Sequence, residues 1–301
     1  MGSAIVIGGL NVDTTMFVSA LPKQGETIFG SGVATDIGGK GLNQALALHR
    51  AGARVHLAGA VGGDAEGVMI CQFLEEQGIG VDHIAKLDGA DSGRALITVG
   101  DDGENTIVVI PGANAQLGEE HVEALVEATD ASLMVANLEA PLPVVARAFE
   151  AAQGRDIRTV LNPSPMQAGM DRLLAATDIV VLNEEEATAL AGPVPEKGEP
   201  ADLAQHLRTL GPDAVVLTVG GKGCYYADGA TSFHVPALAV DVVDTTAAGD
   251  TFLGYFAAGL VHNMLPEAAC AIATKAAGLC VQKAGASGSI PTRSEVDTSD
   301  S

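Results

Sequence analysis

Basic residues are scarce in this 301-residue chain: 16 Lys and Arg stand against 38 Asp and Glu, a formal charge of -22. A nucleic-acid or anionic-membrane binder presents a basic face, so both partner classes are set aside. Cysteines are few as well, at 71, 224, 270 and 280. They show no Cys-x-x-Cys spacing and no dense framework, which fits small buried residues in a reducing compartment. The 7 His are scattered, with no His-Glu-x-x-His and no His-Cys cluster, so no structural zinc is expected. No stretch reaches the ~18 apolar residues a membrane helix needs. The opening SAIVIGG lacks a basic segment and is too short for a secretory leader. The expectation is a soluble, cytoplasmic protein. No internal repeat is visible. Neither Gly-x-x-x-x-Gly-Lys-Ser/Thr nor Gly-x-Gly-x-x-Gly occurs, so a P-loop and a dinucleotide fingerprint are both excluded.

Apolar residue is plentiful, at 47% of the chain, and a chain of this length buries about 75% of its unfolded surface. Short apolar runs at 3–9, 54–61, 132–138, 158–162, 178–183 and 213–220 read as buried strands. Helical patterns fall between them, at 40–51, 64–77, 141–153, 184–191 and 200–210. Asp64 is placed to cap the second of these and Gly78 to stop it. The alternation predicts an α/β fold, a doubly wound and mostly parallel sheet covered on both faces. Residues 14–36 and 92–110 break the rhythm. Each reads as two strands around a polar turn, PKQG and DDGEN. Together they could form a small antiparallel sheet, a natural lid, or two edge hairpins without mobility. The predicted organisation is a core of 1–13, 37–91 and 111–292, a lid of 14–36 and 92–110, and a flexible tail at 293–301.

VVDTTAAGDTFLGYFAAGL (242–260) carries the strongest chemical signal. It begins β-like and becomes an apolar helix near Thr251. The amides of Ala247, Ala248, Gly249 and Asp250 would face outward at the helix N-terminus, where donors and dipole both favour an anion. Asp250 is odd in such a site unless it accepts a proton from an attacking hydroxyl; a simple helix cap is the alternative. In IGGKGLNQALAL (37–48), glycines 38, 39 and 41 open a helix that carries Asn43. Asn11 and Asp13 follow the first strand, and Glu139 follows the strand at 132–138, where open parallel sheets bind ligands. Their side chains suit sugar hydroxyls. Asn183 and Glu186 sit three apart at a helix start, an arrangement that suits water-coordinated Mg²⁺ or an ordinary acidic first turn. TVGGKGCYY (218–226) offers a Gly-rich turn for nucleotide contact, or only a hairpin turn.

With these motifs together, the chain resembles the ribokinase-like (PfkB) carbohydrate kinases over roughly residues 4 to 291. GGLNVD, PKQGET, GGKGLNQ and VGGDAEG match the family's N-terminal signature, and DTTAAGDTFLG its C-terminal one. The resemblance implies Asp250 as catalytic base and Ala247, Ala248 and Gly249 as anion hole. It implies Asn11, Asp13, Gly39, Lys40, Asn43 and Glu139 around the sugar. ATP and Mg²⁺ would meet Asn183, Glu186, Thr218, Gly220, Lys222, Gly223, Gly249 and Thr274. A monovalent cation, K⁺, would sit at Asp244, Thr246, Cys280, Lys283, Gly285 and Ser289. Ala247 departs from the Gly usual in the family, and Cys280 is unusual beside a cation. A dimer through the lid is implied by analogy. The lid segments carry little beyond Lys23 and Arg94 to hold a second phosphate and little beyond Phe17 and Phe29 to stack a base. A small neutral polyol, D-ribose, is therefore the favoured acceptor. Fructose, deoxyribose or a nucleoside such as adenosine or inosine is the alternative, and a catalytically silent sensing relative stands apart from both.

Overall fold

The computed structural model describes residues 2–192 and 199–299. Its strands are β1 (Ser3–Ile7), β2 (Asn11–Val18), β3 (Gly30–Gly38), β4 (Arg54–Gly62), β5 (Ile84–Leu87), β6 (Gly93–Gly100), β7 (Asn105–Ile110), β8 (Leu133–Asn137), β9 (Arg158–Asn162), β10 (Ile179–Asn183), β11 (Ala214–Thr218), β12 (Cys224–Ala227) and β13 (Ser232–Val235). Its α-helices are α1 (Lys40–Arg50), α2 (Ala65–Glu76), α3 (Glu119–Ala128), α4 (Leu142–Gln153), α5 (Asp171–Leu174), α6 (Glu184–Ala191), α7 (Pro200–Arg208), α8 (Ala248–Val261), α9 (Pro266–Cys280) and α10 (Arg293–Thr298).

The main sheet has nine strands in the order β13-β12-β11-β10-β9-β8-β1-β4-β5. Pairing is parallel from β11 to β5 and antiparallel at the β12 and β13 edge. Alternation decides which side chain meets which layer. Ala4 and Val6 join the core under α1, α2, α8, α9 and α10, while Ile5 and Ile7 join the core under α3, α4, α5, α6 and α7. The sheet is thus buried on both faces, and each fully buried Leu, Ile or Phe contributes about 1.5–3 kcal/mol. Strand order reverses at β1, which has β4 on one side and β8 on the other. Open α/β sheets bind ligands at such a point.

One glycine fixes the distance between two helices. A Cβ on Gly254 would lie 2.7 Å from Leu48 N and 2.9 Å from Gln44 O. Its bare face lets α8 press on α1, which brings the start of α8 against the start of α1.

The second sheet has the order β3-β2-β6-β7. Its two hairpins are antiparallel, but the pair joining them, β2 and β6, runs parallel from Asn11↔Gly93 to Val18↔Gly100. The antiparallel expectation is corrected on this point. β1 and β5 run parallel in the main sheet, and β2 and β6 leave it from the same end, so they travel outward side by side. The sheet also reaches further in than 14–36: β2 starts at Asn11 and β3 ends at Gly38.

Two more expectations change. Helix α8 begins at Ala248, not near Thr251, and residues 242–247 form no strand. Residues 293–298, expected to be a loose tail, form α10. The Thr292 side chain accepts from Glu295 N, Glu295 reaches back to Thr292 N, and Val296 is buried. A capping box and one apolar anchor hold this short helix against α9.

Candidate active site

The turn before α8 is built on an uncommon backbone conformation. Ala247 is left-handed, with φ 60° and ψ 5°. That bend aims amides out of the helix end: among the described residues, Ala247 N, Gly249 N and Asp250 N find no acceptor. Ala248 N is the exception to the four donors expected, because it donates to Thr245 O at 3.2 Å. No neighbour lies within 4 Å of a Cβ built on Gly249, so an anion can approach the bare backbone.

Asp250 sits in the first turn and caps nothing. Its Oδ1 accepts from Gln44 Nε2 at 2.9 Å and its Oδ2 from Asn43 Nδ2 at 3.3 Å. The cap alternative is thereby removed. Gln44 escaped the sequence reading, although GGKGLNQ contains it. Its amide also donates to Asn162 Oδ1 at 3.2 Å, and its Oε1 accepts from Asn137 Nδ2 at 3.0 Å. Asn137 and Asn162 end adjacent strands in register. A polar residue closing an otherwise apolar strand was the available signal.

One cavity, of about 360 Å³, lies at the ends of β1 and β8. Asn11, Asn114, Glu139 and Gln167 line it, with Val109, Leu138 and the prolines 111, 141 and 165. Asn114, also missed, locks Asn11 by donating to its Oδ1 at 2.9 Å and trades two hydrogen bonds with the Leu10 backbone. Glu139 accepts from Lys40 N at 2.8 Å, and this contact joins the linings of the two cavities. Gly39 makes the turn possible: φ is 93°, and a Cβ would lie 2.7 Å from Gly9 O. Asp13 Oδ1 and Asn43 Oδ1 are buried without a partner among the described residues. Unsatisfied acceptors of this kind invite hydroxyl donors. Burial, then the charges of Glu139, Asp36 and Asp250, push the Asp13 carboxyl up to about 7. Burial also lifts Glu139 to about 7 against the lowering pull of Lys40.

A second cavity, of about 210 Å³, is lined by Asp250 itself together with Lys40, Asn162, Asn183, Glu186, Thr218, Thr245, Ala247 and Gly249, and with Val181, Leu182 and Leu253. Burial alone would lower the Lys40 ammonium, but Asp250, Glu139 and Glu186 outweigh it and hold it above its ordinary value. The lysine stays a cation in a ring of carboxylates. Asn183 and Glu186 currently form a capping box, each accepting from the other's backbone at 2.8 and 3.0 Å. Both side chains nonetheless open on this cavity with Lys40. One carboxylate and one amide beside a phosphate-sized space fit Mg²⁺, which keeps several waters and takes few protein ligands.

A further space of about 450 Å³ adjoins it through Asn183, Thr218, Thr245 and Gly249. Gly220, Gly223 and Thr274 line it as expected. So do Leu238, Val240, Val242, Ala277 and Val281, an apolar wall that no periodicity announced. Lys222 lines neither space; it is exposed, and its carbonyl accepts from His234 Nε2. Its assignment to the nucleotide rests on the turn it shares with Gly220 and Gly223.

The proposed cation residues converge, with two adjustments. Asp244 Oδ1 accepts from Thr246 N and Oγ1, and its Oδ2 accepts from Gly285 N at 2.9 Å. Cys280 Sγ lies 3.1 Å from Ser289 Oγ, and burial pushes its thiol up, so it is neutral. The Lys283 ammonium pairs with Glu295 at 2.8 Å, which leaves only its backbone for any ion. An oxygen set of carboxylate, carbonyls and a serine hydroxyl suits a hard cation. Among the described residues, no group of three or more His, Cys, Asp or Glu could hold a metal, so any ion here depends on backbone oxygens or bound phosphates.

Known proteins resemble this chain over almost its whole length. The family model for "pfkB family carbohydrate kinase" matches residues 1–293. A ribokinase of Staphylococcus aureus (strain COL) is 37% identical over 297 residues, covering 97% of this chain and 98% of that protein. The solved ribokinase of Giardia lamblia superposes with a TM-score of 0.89 at 31% identity, over 98% and 97% of the two chains. The Arabidopsis thaliana ribokinase complexed with ribose and ATP gives 0.86 at 30% identity, over 98% of each. No helix among the described residues is long and apolar enough to cross a membrane.

Proposed function

The chain belongs to the pfkB family of carbohydrate kinases, ATP-dependent sugar kinases, and from that premise we propose that it transfers the terminal phosphoryl group of ATP to the 5-hydroxyl of D-ribose. One observation carries the reading: Asp250 stands at an N-terminus with free amides and lines the cavity holding Lys40, whose backbone is tied to Glu139 of the cavity of sugar-type acceptors. ATP would lie along the apolar wall, with its terminal phosphate under Ala247 N and Gly249 N. Ribose would lie against Asn11, Asp13, Asn43 and Glu139. Asp250, held by Asn43 and Gln44, accepts the hydroxyl proton as the O–P bond forms. The amides and Lys40 neutralise charge on the transferring group. Phosphoryl transfer asks for little else from a protein. Magnesium, held by Glu186 and Asn183, would add charge neutralisation at the phosphates when bound. A monovalent cation held by Asp244, Gly285, Ser289 and nearby carbonyls would brace the turn 244–249.

Ribose is preferred because the sugar cavity offers no aromatic ring to stack a base and no Arg or Lys for a second phosphate among its described lining. The small sheet acts as the lid: Val109 of β7 already lines the sugar cavity. Its outer side favours a homodimer, since β7 is an exposed edge strand of sequence NTIVVI, and Val33 and Val108 are 69% and 61% exposed. An apolar unpaired edge of this kind invites a second copy. Four cysteines, all free and buried, favour a cytoplasmic setting. The test is ATP consumption with D-ribose, 2-deoxyribose, fructose, adenosine and inosine. Ribose should give the highest kcat/KM; a nucleoside in first place would overturn the acceptor.

A further inference from the structure

Asp36 has no part in the sugar or nucleotide contacts, yet it ties the small sheet to the loop 285–287. It lies on β3, directly across the ladder from Asp13 on β2. Like charges facing one another across two strands cost stability, so this pair calls for a second duty. The Asp36 carboxylate turns away from the sugar, toward a loop 250 residues further along the chain. Its Oδ2 accepts from Ala286 N at 3.2 Å and its Oδ1 from Ser287 Oγ at 3.2 Å. The Ile37 amide, at 2.8 Å, fixes the carboxylate's orientation. Gly285 comes between two acids: its N donates to Asp244 Oδ2, and a Cβ on it would lie 3.5 Å from Asp36 Oδ2. Arg50 Nη1 holds Ser287 O from the core side at 3.1 Å, while the nearby Lys283 ammonium is taken by Glu295.

We propose that Asp36 is a positioning residue that couples closure of the small sheet over the sugar to the loop 285–287 that braces the monovalent cation. The proposal rests on the lid and cation reading given above. A continuous path supports it: Asp13 and Asp36 share one strand pair, Asp36 grips 286–287, Gly285 grips Asp244, and Asp244 holds Thr246 next to the anion turn. Closing the sheet on ribose sets the position of Asp36, and with it the loop. Thermodynamic coupling is reciprocal, so the cation must tighten ribose as much as ribose tightens the cation.

The experiment measures the dissociation constant of ribose by calorimetry in sodium and in potassium buffer, and beside it the K⁺ concentration giving half-maximal rate at low and at saturating ribose, in the wild type, Asp36→Ala and Ser287→Ala. Potassium should tighten ribose by about 5–10-fold in the wild type and by little in Asp36→Ala. In the wild type, saturating ribose should lower that concentration by about 5–10-fold, the lower end of ordinary coupling. In Asp36→Ala the ratio should fall to near one, while kcat at saturating K⁺ and ribose stays within about twofold. Ser287→Ala removes one of the two contacts from the other side and should lower the ratio part-way; it serves if Asp36→Ala does not fold. A wild-type ratio kept by both variants overturns the coupling and leaves the cation reading standing. Equal wild-type rates in sodium and potassium buffers overturn the cation reading itself, and the coupling with it.

Discussion

At the scale of single residues, the site concentrates acid where water is excluded. Asp13 and Glu139 both rise to about 7 from ordinary values of 3.8 and 4.5, chiefly by burial. A carboxyl that binds its proton more tightly when folded adds stability below its ordinary value. That stability is lost as pH climbs through the folded value. The ligand-free protein should therefore unfold at lower urea as pH rises from about 5 to 8, and Asp13→Asn should shrink that loss. A urea midpoint that climbs across the same window in the wild type contradicts the assignment. Gly39 is the other residue with a sharp expectation. Ala there meets a left-handed φ and a carbonyl 2.7 Å away. Strain of about 1–3 kcal/mol would displace the start of α1, with Lys40 and Asn43, raising ribose KM by about tenfold and ATP KM by less. Steady-state kinetics on Gly39→Ala, with both substrates varied, decides between this and an indifferent site.

At the scale of elements, the anion turn carries a cost that could be removed. Ala247 holds φ 60°, where a residue with a Cβ loses about 1–2 kcal/mol. Gly gives back about 0.5–1 kcal/mol through its looser unfolded chain. Ala247→Gly should thus gain about 0.5–1 kcal/mol by urea titration and keep its activity; a loss of stability would show that the alanine methyl has a packing role. Elements also mark how far the sequence could be read. Helix α1 and strands β4 and β9 came from periodicity and Gly punctuation, because local patterns determine them. The parallel pairing of β2 with β6 could not be read, since it depends on where two strands leave another sheet. Helix α10 was hidden because its capping box lies in a run of polar residues with a single apolar anchor, Val296. The DTTAAGD motif announced its turn, yet Gln44, Asn114 and Asp36 did not announce theirs. Their partners lie 206, 104 and 250–251 residues away, and a short polar side chain carries no sign of so distant a contact.

At the scale of the whole molecule, a net charge of -22 sets self-repulsion against an apolar lid edge. Salt screens the first and spares the second. Sedimentation velocity should show a dimer that tightens as salt rises, and Val33→Asp with Val108→Asp should yield a monomer. A wild-type monomer at every salt concentration would remove the lid interface. In the proposed reaction the nucleotide would lie over β10, β11 and α9, the acceptor between β1, β8 and the small sheet, and the carboxylate at the start of α8 would take the proton as the phosphoryl group moves. The most direct measurement is ADP and ribose 5-phosphate formation by Asp250→Asn beside the wild type, with ATP binding followed in the same samples. The wild type should form both products one for one and only when ribose is present. Asp250→Asn should bind ATP within a few-fold of the wild type and turn over about 10²–10⁴ times more slowly. Turnover near the wild-type rate in that variant would contradict the account.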